Sequence, residues 1–354
     1  MVCEPSTPPS GWTRPNELLR PALSVSVAIV GPPGSGKTTL FNALTGGRGS
    51  GGVGMVEVPD ERVDRLEEAV KPKKKVYAQV RVADAPAGSR AQQVAAAREA
   101  DVVLVVARCF GPGADPAGDL ESIGLDMVLA DLASVERRLE IAAKEARINK
   151  PGAAVAAEAL NLAKAHLDGG QPLRTLALEP AAREALAPIF PVSIKPVVFV
   201  ANVADKVAAG ASVEHFAFSH KAQAAVVAAE LEVELAQLDP KEAAEYRASY
   251  GLTESGLAAV ARAIWQAGGL ITYFTAGEPE VRAWPCEDGA PAPIAAGVIH
   301  TDFIKKFIRA EVTSVDELVA AGSMEALRAA GRLRVEGREY LVRDGDVVFF
   351  RIGG

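Results

Sequence analysis

The stretch GPPGSGKT at residues 31–38 constrains this chain more than any other, because an apolar run at residues 25–30 precedes it and helical spacing follows it. It matches the phosphate-binding loop pattern G-x-x-x-x-G-K-[ST] in its required strand–loop–helix context. Glycines let the backbone turn its N–H groups inward, and the positive end of the following helix favours an anion. The predicted phosphate-binding residues are Gly34, Ser35, Gly36, Lys37, Thr38 and Thr39, with Lys37 on the β- and γ-phosphates and Thr38 on Mg²⁺.

Further apolar runs indicate the sheet that carries this loop. Residues 102–107 and 196–201 are continuous and rich in valine, as in strands that are buried on both faces. A third strand is predicted at residues 76–82, and Asp84 follows it. Helical patterns separate the strands, which predicts an α/β fold with a doubly wound parallel sheet and ligands at the carboxyl ends of the strands. Asp84 is then predicted to be the carboxylate on the Mg²⁺ side, the alternative being an ordinary turn cap.

Two appended modules are predicted. Apolar residues at three- and four-residue spacing on both sides of Pro151-Gly152 predict an antiparallel helical hairpin, whose basic side either touches RNA or protein or is simply solvated. From residue 270, glycine turns separate short predicted strands, and the pattern predicts a small α+β domain with a capping box at Ser314–Glu317. The predicted strands are 270–275, 281–284, 332–335, 340–342 and 347–352, and the predicted helical segments are 302–307 and 315–330. The predicted divisions are a loose tail (1–22), a nucleotide-binding domain (23–123 and 193–268), the hairpin (124–192) and the C-terminal domain (269–354).

Composition excludes several classes of protein. A net charge of −7 argues against a nucleic-acid-coating protein and predicts no DNA partner, although local basic patches are allowed. The apolar runs are too short to span a bilayer, and the first twenty residues do not form a signal peptide, which predicts a cytoplasmic protein without a membrane partner. Three cysteines form no metal-ligand spacing, and Cys109 is predicted to be a buried core residue rather than a redox switch.

Together with the phosphate loop, several stretches resemble the YchF / Obg-like ATPase family of P-loop NTPases. They are VPDERVDRL with KPKKKV, VLADLASVERRLE, ITYFTAGEPEVRAW, AAGVIHTDFIKKFIRAEV and DGDVVFFRI. The C-terminal group is similar to that family's TGS domain, a ubiquitin-like β-grasp module. The resemblance implies a nucleotide domain with an inserted coiled coil, binding of ATP in preference to GTP with Mg²⁺, and association with ribosomes or rRNA.

The base-contacting residues are predicted from the same resemblance. Guanine-specific relatives carry N-K-x-D, and YchF-like proteins resemble this pattern with N-x-x-E. This chain has Asn202-Val203-Ala204-Asp205, which lacks the lysine but has the shorter acid. Asn202, Val203 and Asp205 are therefore predicted nucleotide-binding residues with ATP favoured and GTP left open. A turn role for Asn202 is the alternative.

Three departures from the family bear on hydrolysis. The segment that supplies a switch threonine is replaced by residues 46–54, which contain six glycines and are predicted to hold no single shape. The D-x-x-G region appears as Asp84-Ala85-Pro86-Ala87-Gly88 with a compact link after it, and the base-contacting loop appears as Ala228-Ala229-Glu230. These changes predict an ATPase with slow or impaired hydrolysis. The alternatives are an active GTPase, suggested by Asp205, and a binding scaffold that does not depend on nucleotide.

Overall fold

A computed structural model describes residues 25–85, 89–148, 150–204, 207–249 and 254–353. The predicted tail at 1–22, residues 86–88 and Asp205 lie outside the described residues. The strands are β1 (Ser26–Val30), β2 (Val53–Val58), β3 (Lys75–Val76), β4 (Ala78–Asp84), β5 (Val102–Cys109), β6 (Val197–Val203), β7 (Gln223–Val227), β8 (Leu270–Ala276), β9 (Val281–Glu287), β10 (Phe307–Ser314), β11 (Arg334–Glu336) and β12 (Asp346–Ile352).

Single helices separate the strands as far as β5, apart from the adjacent β3 and β4, and several later helices follow one another directly. The helices are α1 (Lys37–Thr45), α2 (Glu61–Val70), α3 (Arg90–Glu99), α4 (Pro116–Arg147), α5 (Ala153–Asp168), α6 (Pro180–Leu186), α7 (Ala211–Ser219), α8 (Ala229–Leu235), α9 (Pro240–Ser249), α10 (Gly256–Ala267), α11 (Ala292–Ile299), α12 (Asp302–Lys306), α13 (Val315–Ala321) and α14 (Met324–Ala329). Short 3₁₀ turns occur at Leu173–Thr175, Ala187–Ile189 and Val207–Gly210.

The chain forms two compact units, and the first holds the phosphate loop. Its described residues are 25–55 and 81–267. The sheet has the order β2-β4-β1-β5-β6-β7, and β4, β1, β5, β6 and β7 pair in parallel. β1 therefore lies between β4 and β5, where the strand order changes direction, which is where such sheets bind ligands. The predicted α/β P-loop fold is confirmed.

The long helix α4 and its partner α5 form the predicted hairpin. The Asp115 side chain caps α4 by accepting from the Gly118 amide at 3.1 Å, so the helix begins eight residues before the predicted start of the insertion. α4 ends at Arg147 and α5 begins at Ala153, on either side of the predicted break. The two helices bury a shared apolar seam of Val128, Val135, Ala142, Leu160, Ala163 and Leu167. No helix in the described part of the chain is long and apolar enough to span a membrane.

The glycine-rich segment after α1 is ordered, so the prediction that it holds no single shape was wrong. The backbones of Ser50 and Val53 exchange hydrogen bonds of 2.9 and 3.1 Å across a turn that contains Gly51 and Gly52. Both glycines adopt positive φ angles, 59° and 75°, which such a tight turn requires. The Gly52 carbonyl accepts from the Asp84 amide at 2.9 Å. These backbone hydrogen bonds fix the conformation of a segment that its glycines alone would leave flexible.

The second unit contains the C-terminal region together with residues 56–80, which the sequence had assigned to the nucleotide domain. Its sheet has the order β11-β10-β12-β8-β9-β3. β3 pairs in parallel with β9, and Arg62 on α2 forms an ion pair with Asp344 and lies 5.1 Å above the Phe274 ring. These contacts explain why residues 56–80 group with the C-terminal region. The other domain boundaries given by the sequence analysis remain predictions.

Several C-terminal elements differ from the predicted ones. The strand expected at residues 340–342 is a single bridge between Pro291 and Leu341, and the helix expected over 315–330 is broken at Gly322. Strand β10 and helix α11 were not predicted at all. The capping box is confirmed, because the Ser314 hydroxyl accepts from the Glu317 amide at 3.2 Å and the Glu317 carboxylate accepts from the Ser314 amide at 3.1 Å.

Candidate functional site

The phosphate loop lies between the end of β1 and the start of α1. Gly36 is the N-cap of α1 with φ 85° and ψ 22°, and Gly34 has φ 75°. A β-carbon on Gly36 would lie 2.1 Å from Asn202 Nδ2. Both this clash and the positive φ angle exclude any residue larger than glycine at this position. At the other end of the loop, the Gly31 amide donates to Gln93 Oε1 at 2.9 Å, which anchors the loop to α3.

Lys37 is folded over the loop that it follows. Its ammonium donates to the carbonyl oxygens of Gly31 and Pro32 at 2.9 and 2.8 Å, and the residue is 8% exposed. Burial lowers the pKa of the Lys37 ammonium, and the charge of Asp84 acts in the opposite direction. A cation at this place, beside the N-terminus of a helix, favours a polyphosphate.

Thr38 and Asp84 meet at the carboxyl ends of β1 and β4. The Thr38 hydroxyl donates to Asp84 Oδ2 at 2.8 Å. Asp84 Oδ1 is buried and has no hydrogen-bond partner among the described residues. A hydroxyl and a carboxylate with an unused oxygen are the hard donors that Mg²⁺ prefers, so the residues fit this ion. No group of three His, Cys, Asp or Glu side chains able to hold a metal occurs in the described part of the chain.

Asn202 joins the phosphate loop to the N-terminus of α8. Its Nδ2 donates to the Ser35 carbonyl at 2.9 Å, and its Oδ1 accepts from the Ala229 amide at 3.2 Å. The residue is only 4% exposed. The structure therefore gives Asn202 a bracing role beside the predicted base-contacting role, and it places residues 228–230 next to the phosphate loop, where the sequence pattern had predicted a nucleotide contact.

The remaining predicted nucleotide-binding residues differ in how exposed their side chains are. Ser35 is fully buried, and its hydroxyl has no partner among the described residues. Thr39 is half-buried on α1. The Val203 side chain is 4% exposed and packs in the core cluster of the sheet, so this side chain is not available to a nucleotide. The structure gives no information on Asp205.

Two residues that hold the phosphate loop and Asp84 in place were not predicted from the sequence. Gln93 holds the Gly31 amide, and Gly52 holds the amide of Asp84. Gln93 is 7% exposed although it is polar, and its position one turn before the buried Ala97 was the available signal, because a polar residue on the buried face of a helix needs a partner. Gly52 acts through its backbone, for which side-chain patterns give no signal.

The two cysteines in the described part of the chain, Cys109 and Cys286, have no part in this site. Cys109 ends β5 in the apolar core, and burial, with a smaller effect of Asp119, raises the pKa of its thiol to about 11. Burial raises the pKa of the Cys286 thiol to about 12. The raised value agrees with the core role predicted for Cys109, and Cys286 is likewise unreactive, since a reactive cysteine needs a depressed pKa.

The strand–loop–helix unit at the switch point of a parallel sheet defines a P-loop NTPase. Comparison with family models agrees: residues 26–150 match the 50S ribosome-binding GTPase model, and residues 270–353 match the YchF GTPase C-terminal model, which is described as a protein of unknown function. The chain belongs to the YchF family, as individual relatives show.

The ribosome-binding ATPase YchF of Bacillus subtilis is 35% identical over 363 residues, which cover 93% of this chain and 99% of the relative. The Obg-like ATPase 1 of rice is 32% identical and covers 92% of each chain. The solved structure of the Schizosaccharomyces pombe YchF GTPase superposes with a TM-score of 0.82 at 28% identity, covering 94% of this chain and 99% of that one.

Proposed function

We propose that this chain binds ATP with Mg²⁺ at the phosphate loop, hydrolyses it slowly on its own and acts in association with the ribosome. The observation that carries the proposal is the contact between Thr38 and Asp84, because it places a hydroxyl and a carboxylate with a free oxygen beside the buried Lys37. These groups would hold the ion, and the ion would neutralise charge on the phosphates. The amides of residues 34–39 would hold the phosphates.

The preference for ATP is supported by the sequence after β6. A guanine-specific site packs a lysine stem on the base, and this chain has Val203 where that lysine would lie. The names of the relatives from B. subtilis and rice describe ATPases, whereas the matching family model is described as a GTPase. GTP is therefore the competitor against which ATP must be tested.

Slow hydrolysis is supported by the polar side chains present in the segment between α1 and β2. Residues 46–52 are a tight glycine turn whose polar side chains are Arg48 and Ser50, and no threonine occurs in it. Phosphoryl transfer needs groups that position water and stabilise charge on the γ-phosphate. A chain without a switch threonine is expected to depend on a partner for rapid turnover.

We infer that the ribosome is the partner that speeds hydrolysis. The name of the B. subtilis relative and the description of the family model for residues 26–150 both refer to ribosome binding, which supports the same partner here. A ribosomal partner would also place the protein in the cytoplasm.

Titration with fluorescent ATP tests the site directly. We expect wild-type protein to bind ATP more tightly with Mg²⁺ than with EDTA, and to prefer unlabelled ATP over GTP as a competitor. Thr38→Ala and Asp84→Asn should abolish the gain from Mg²⁺, whereas Glu57→Gln, which removes an exposed carboxylate on β2, should keep it. Absence of binding to either purine nucleotide at millimolar concentration would contradict the proposal.

A single-turnover assay tests the rate. Hydrolysis of bound ATP should be slow in isolated protein and faster when ribosomes are added. Rapid turnover without ribosomes would refute the impaired-hydrolysis part and leave the binding part intact. Equal nucleotide affinity and ribosome sedimentation in Lys37→Ala would instead favour a scaffold that does not depend on nucleotide.

A further inference from the structure

One face of the C-terminal sheet is only partly covered. On β10, Ala310 and Val312 point into the core of the unit, so Arg309, Glu311 and Thr313 occupy the opposite face. The Thr313 end of that face is covered by α13, because the Thr313 hydroxyl donates to the Glu317 carboxylate at 2.9 Å. The other end is open.

The open end carries an exposed aromatic ring beside positive charge. Glu311 lies opposite Phe349 on β12 and opposite Val335 on β11, while Arg309 lies opposite Arg351. Phe349 and Val335 are 43% and 64% exposed. We call these five residues the open sheet face.

A single buried carboxylate organises the cations of this face. Glu311 is 4% exposed and accepts from Arg351 Nε at 3.0 Å. It also accepts from Arg328 of α14 at 2.7 Å, and Arg309 lies at 3.8 Å. Two like charges opposite each other in a sheet repel, and a shared counter-ion is what allows Arg309 and Arg351 to face each other.

The cations exceed the anions on this face. Three guanidinium groups surround Glu311, and the carboxylate of Glu325 lies one turn before Arg328 on α14. Lys305 and Lys306 end α12 directly before β10, and no described carboxylate lies within ion-pair distance of either. The face is therefore positive in a chain whose net charge is −7.

The ring and the cations are arranged for stacking. The Arg351 guanidinium lies 4.4 Å from the centre of the Phe349 ring, and both groups remain partly exposed. Aromatic rings and guanidinium planes on an open sheet bind unstacked bases, while flanking arginines bind phosphates. An acidic peptide would use the charges and leave the ring without a role.

We propose that the open sheet face binds a single-stranded stretch of RNA, with one base stacked on Phe349 and the backbone phosphates held by Arg309 and Arg351. The inference rests on the proposed ribosomal function, since it names the part of the chain that touches RNA. The other basic runs fit less well: Lys73, Lys74 and Lys75 each form an ion pair with a carboxylate.

Fluorescence anisotropy with a labelled single-stranded 12-nucleotide RNA of mixed sequence tests the face in the full-length protein. Phe349→Leu keeps an apolar side chain but removes the ring, and it should weaken binding by about 5- to 150-fold, the range for loss of one stacked base. Phe349→Tyr should bind like wild type. Phe218→Ala, which removes an 82% exposed phenylalanine from α7 in the other unit, is the matched control and should also bind like wild type.

The salt dependence tests the arginines. Arg309→Gln and Arg351→Gln should each lower the slope of log affinity against log salt by about 0.7, the value for one phosphate contact with a single strand. Thermal melting of each variant checks that the unit remains folded. Wild-type affinity in Phe349→Leu, or competition by a poly-glutamate peptide as strong as by unlabelled RNA, would overturn the proposal.

Ribosome sedimentation separates this inference from the proposed function. If wild-type protein sediments with ribosomes and Phe349→Leu sediments equally well with unchanged RNA affinity, the ribosomal function stands and the open sheet face is excluded. If wild-type protein neither binds ATP nor sediments with ribosomes, the proposed function fails. The RNA titration then still decides whether the face binds a single strand.

Discussion

Asn202→Ala is the most informative single change, because it removes both hydrogen bonds that join the phosphate loop to the N-terminus of α8. The substitution leaves the Ser35 carbonyl and the Ala229 amide buried without their partner. An unsatisfied buried group costs about 1–3 kcal/mol, so with two such groups the nucleotide-binding unit should lose about 2–6 kcal/mol of its free energy of unfolding. With a urea dependence of roughly 2 kcal/mol per molar, the midpoint should fall by about 1–3 M.

The assay is urea unfolding followed by far-UV circular dichroism without nucleotide. The transition that ATP and Mg²⁺ shift in wild-type protein belongs to the nucleotide-binding unit. Asn202→Asp keeps an acceptor for the Ala229 amide but turns a carboxylate oxygen towards the Ser35 carbonyl, so it should be at least as destabilising as alanine. Asn42→Ala, on the exposed side of α1, is the control. Wild-type midpoints in both Asn202 variants, with nucleotide affinity alone reduced, would refute the bracing role.

Three further predictions concern other parts of the chain. Gly36→Ala should destabilise the protein by more than Gly47→Ala, as measured by urea midpoints, because both glycines have positive φ (85° and 71°) but only the first would place a β-carbon against a side chain, at 2.1 Å. In a chain whose other cysteines are serine, Cys109 should react slowly with Ellman's reagent at pH 8, since a pKa of about 11 leaves about a thousandth of the thiol ionised; reaction at the rate of a free thiol would contradict its burial. The pKa of Glu311 is held below its ordinary value of 4.5 by the arginines around it, so the stability it contributes is present above about pH 4.5 and is lost as the pH falls through the lower folded value; Glu311→Gln should flatten that acid limb of a melting-temperature series, and an unchanged limb would refute the assignment.

The phosphate loop could be predicted because its information is local. Strand, glycines, Lys37 and Thr38 occur within one short stretch, and Asp84 follows from the next predicted strand end. The bracing role of Asn202 could not be predicted in the same way. Its partner Ser35 is 167 positions earlier, and nothing in the sequence around either residue shows that they meet.

Strand β10 was missed for a physical reason. A half-buried strand is recognised by alternation of apolar and polar residues, but here the pairing register with β12 shifts between Phe307 and Arg309. The shift leaves Ile308 exposed and Arg309 exposed beside it, and further along the strand Glu311 is buried by its arginine partners. A bulge and a buried ion cluster together erase the period of two that the prediction needs.

The basic residues show that charge in a sequence and charge on a surface are different quantities. The run KPKKKV is the most conspicuous positive stretch in the sequence. Its residues Lys73 and Lys74 nevertheless form ion pairs with Glu278 and Glu280, which lie about 200 positions later in the chain. β3, which ends this run, is held by pairing with β9, so the same contacts that place residues 56–80 in the C-terminal unit also neutralise their lysines. On β10 and β12 the arginines alternate with apolar and acidic residues and form no run, but the register places Arg309 opposite Arg351 around a single buried carboxylate. A surface for a polyanion is thus built where strand pairing gathers separate cations, and we expect it on the open sheet face rather than on the lysine run.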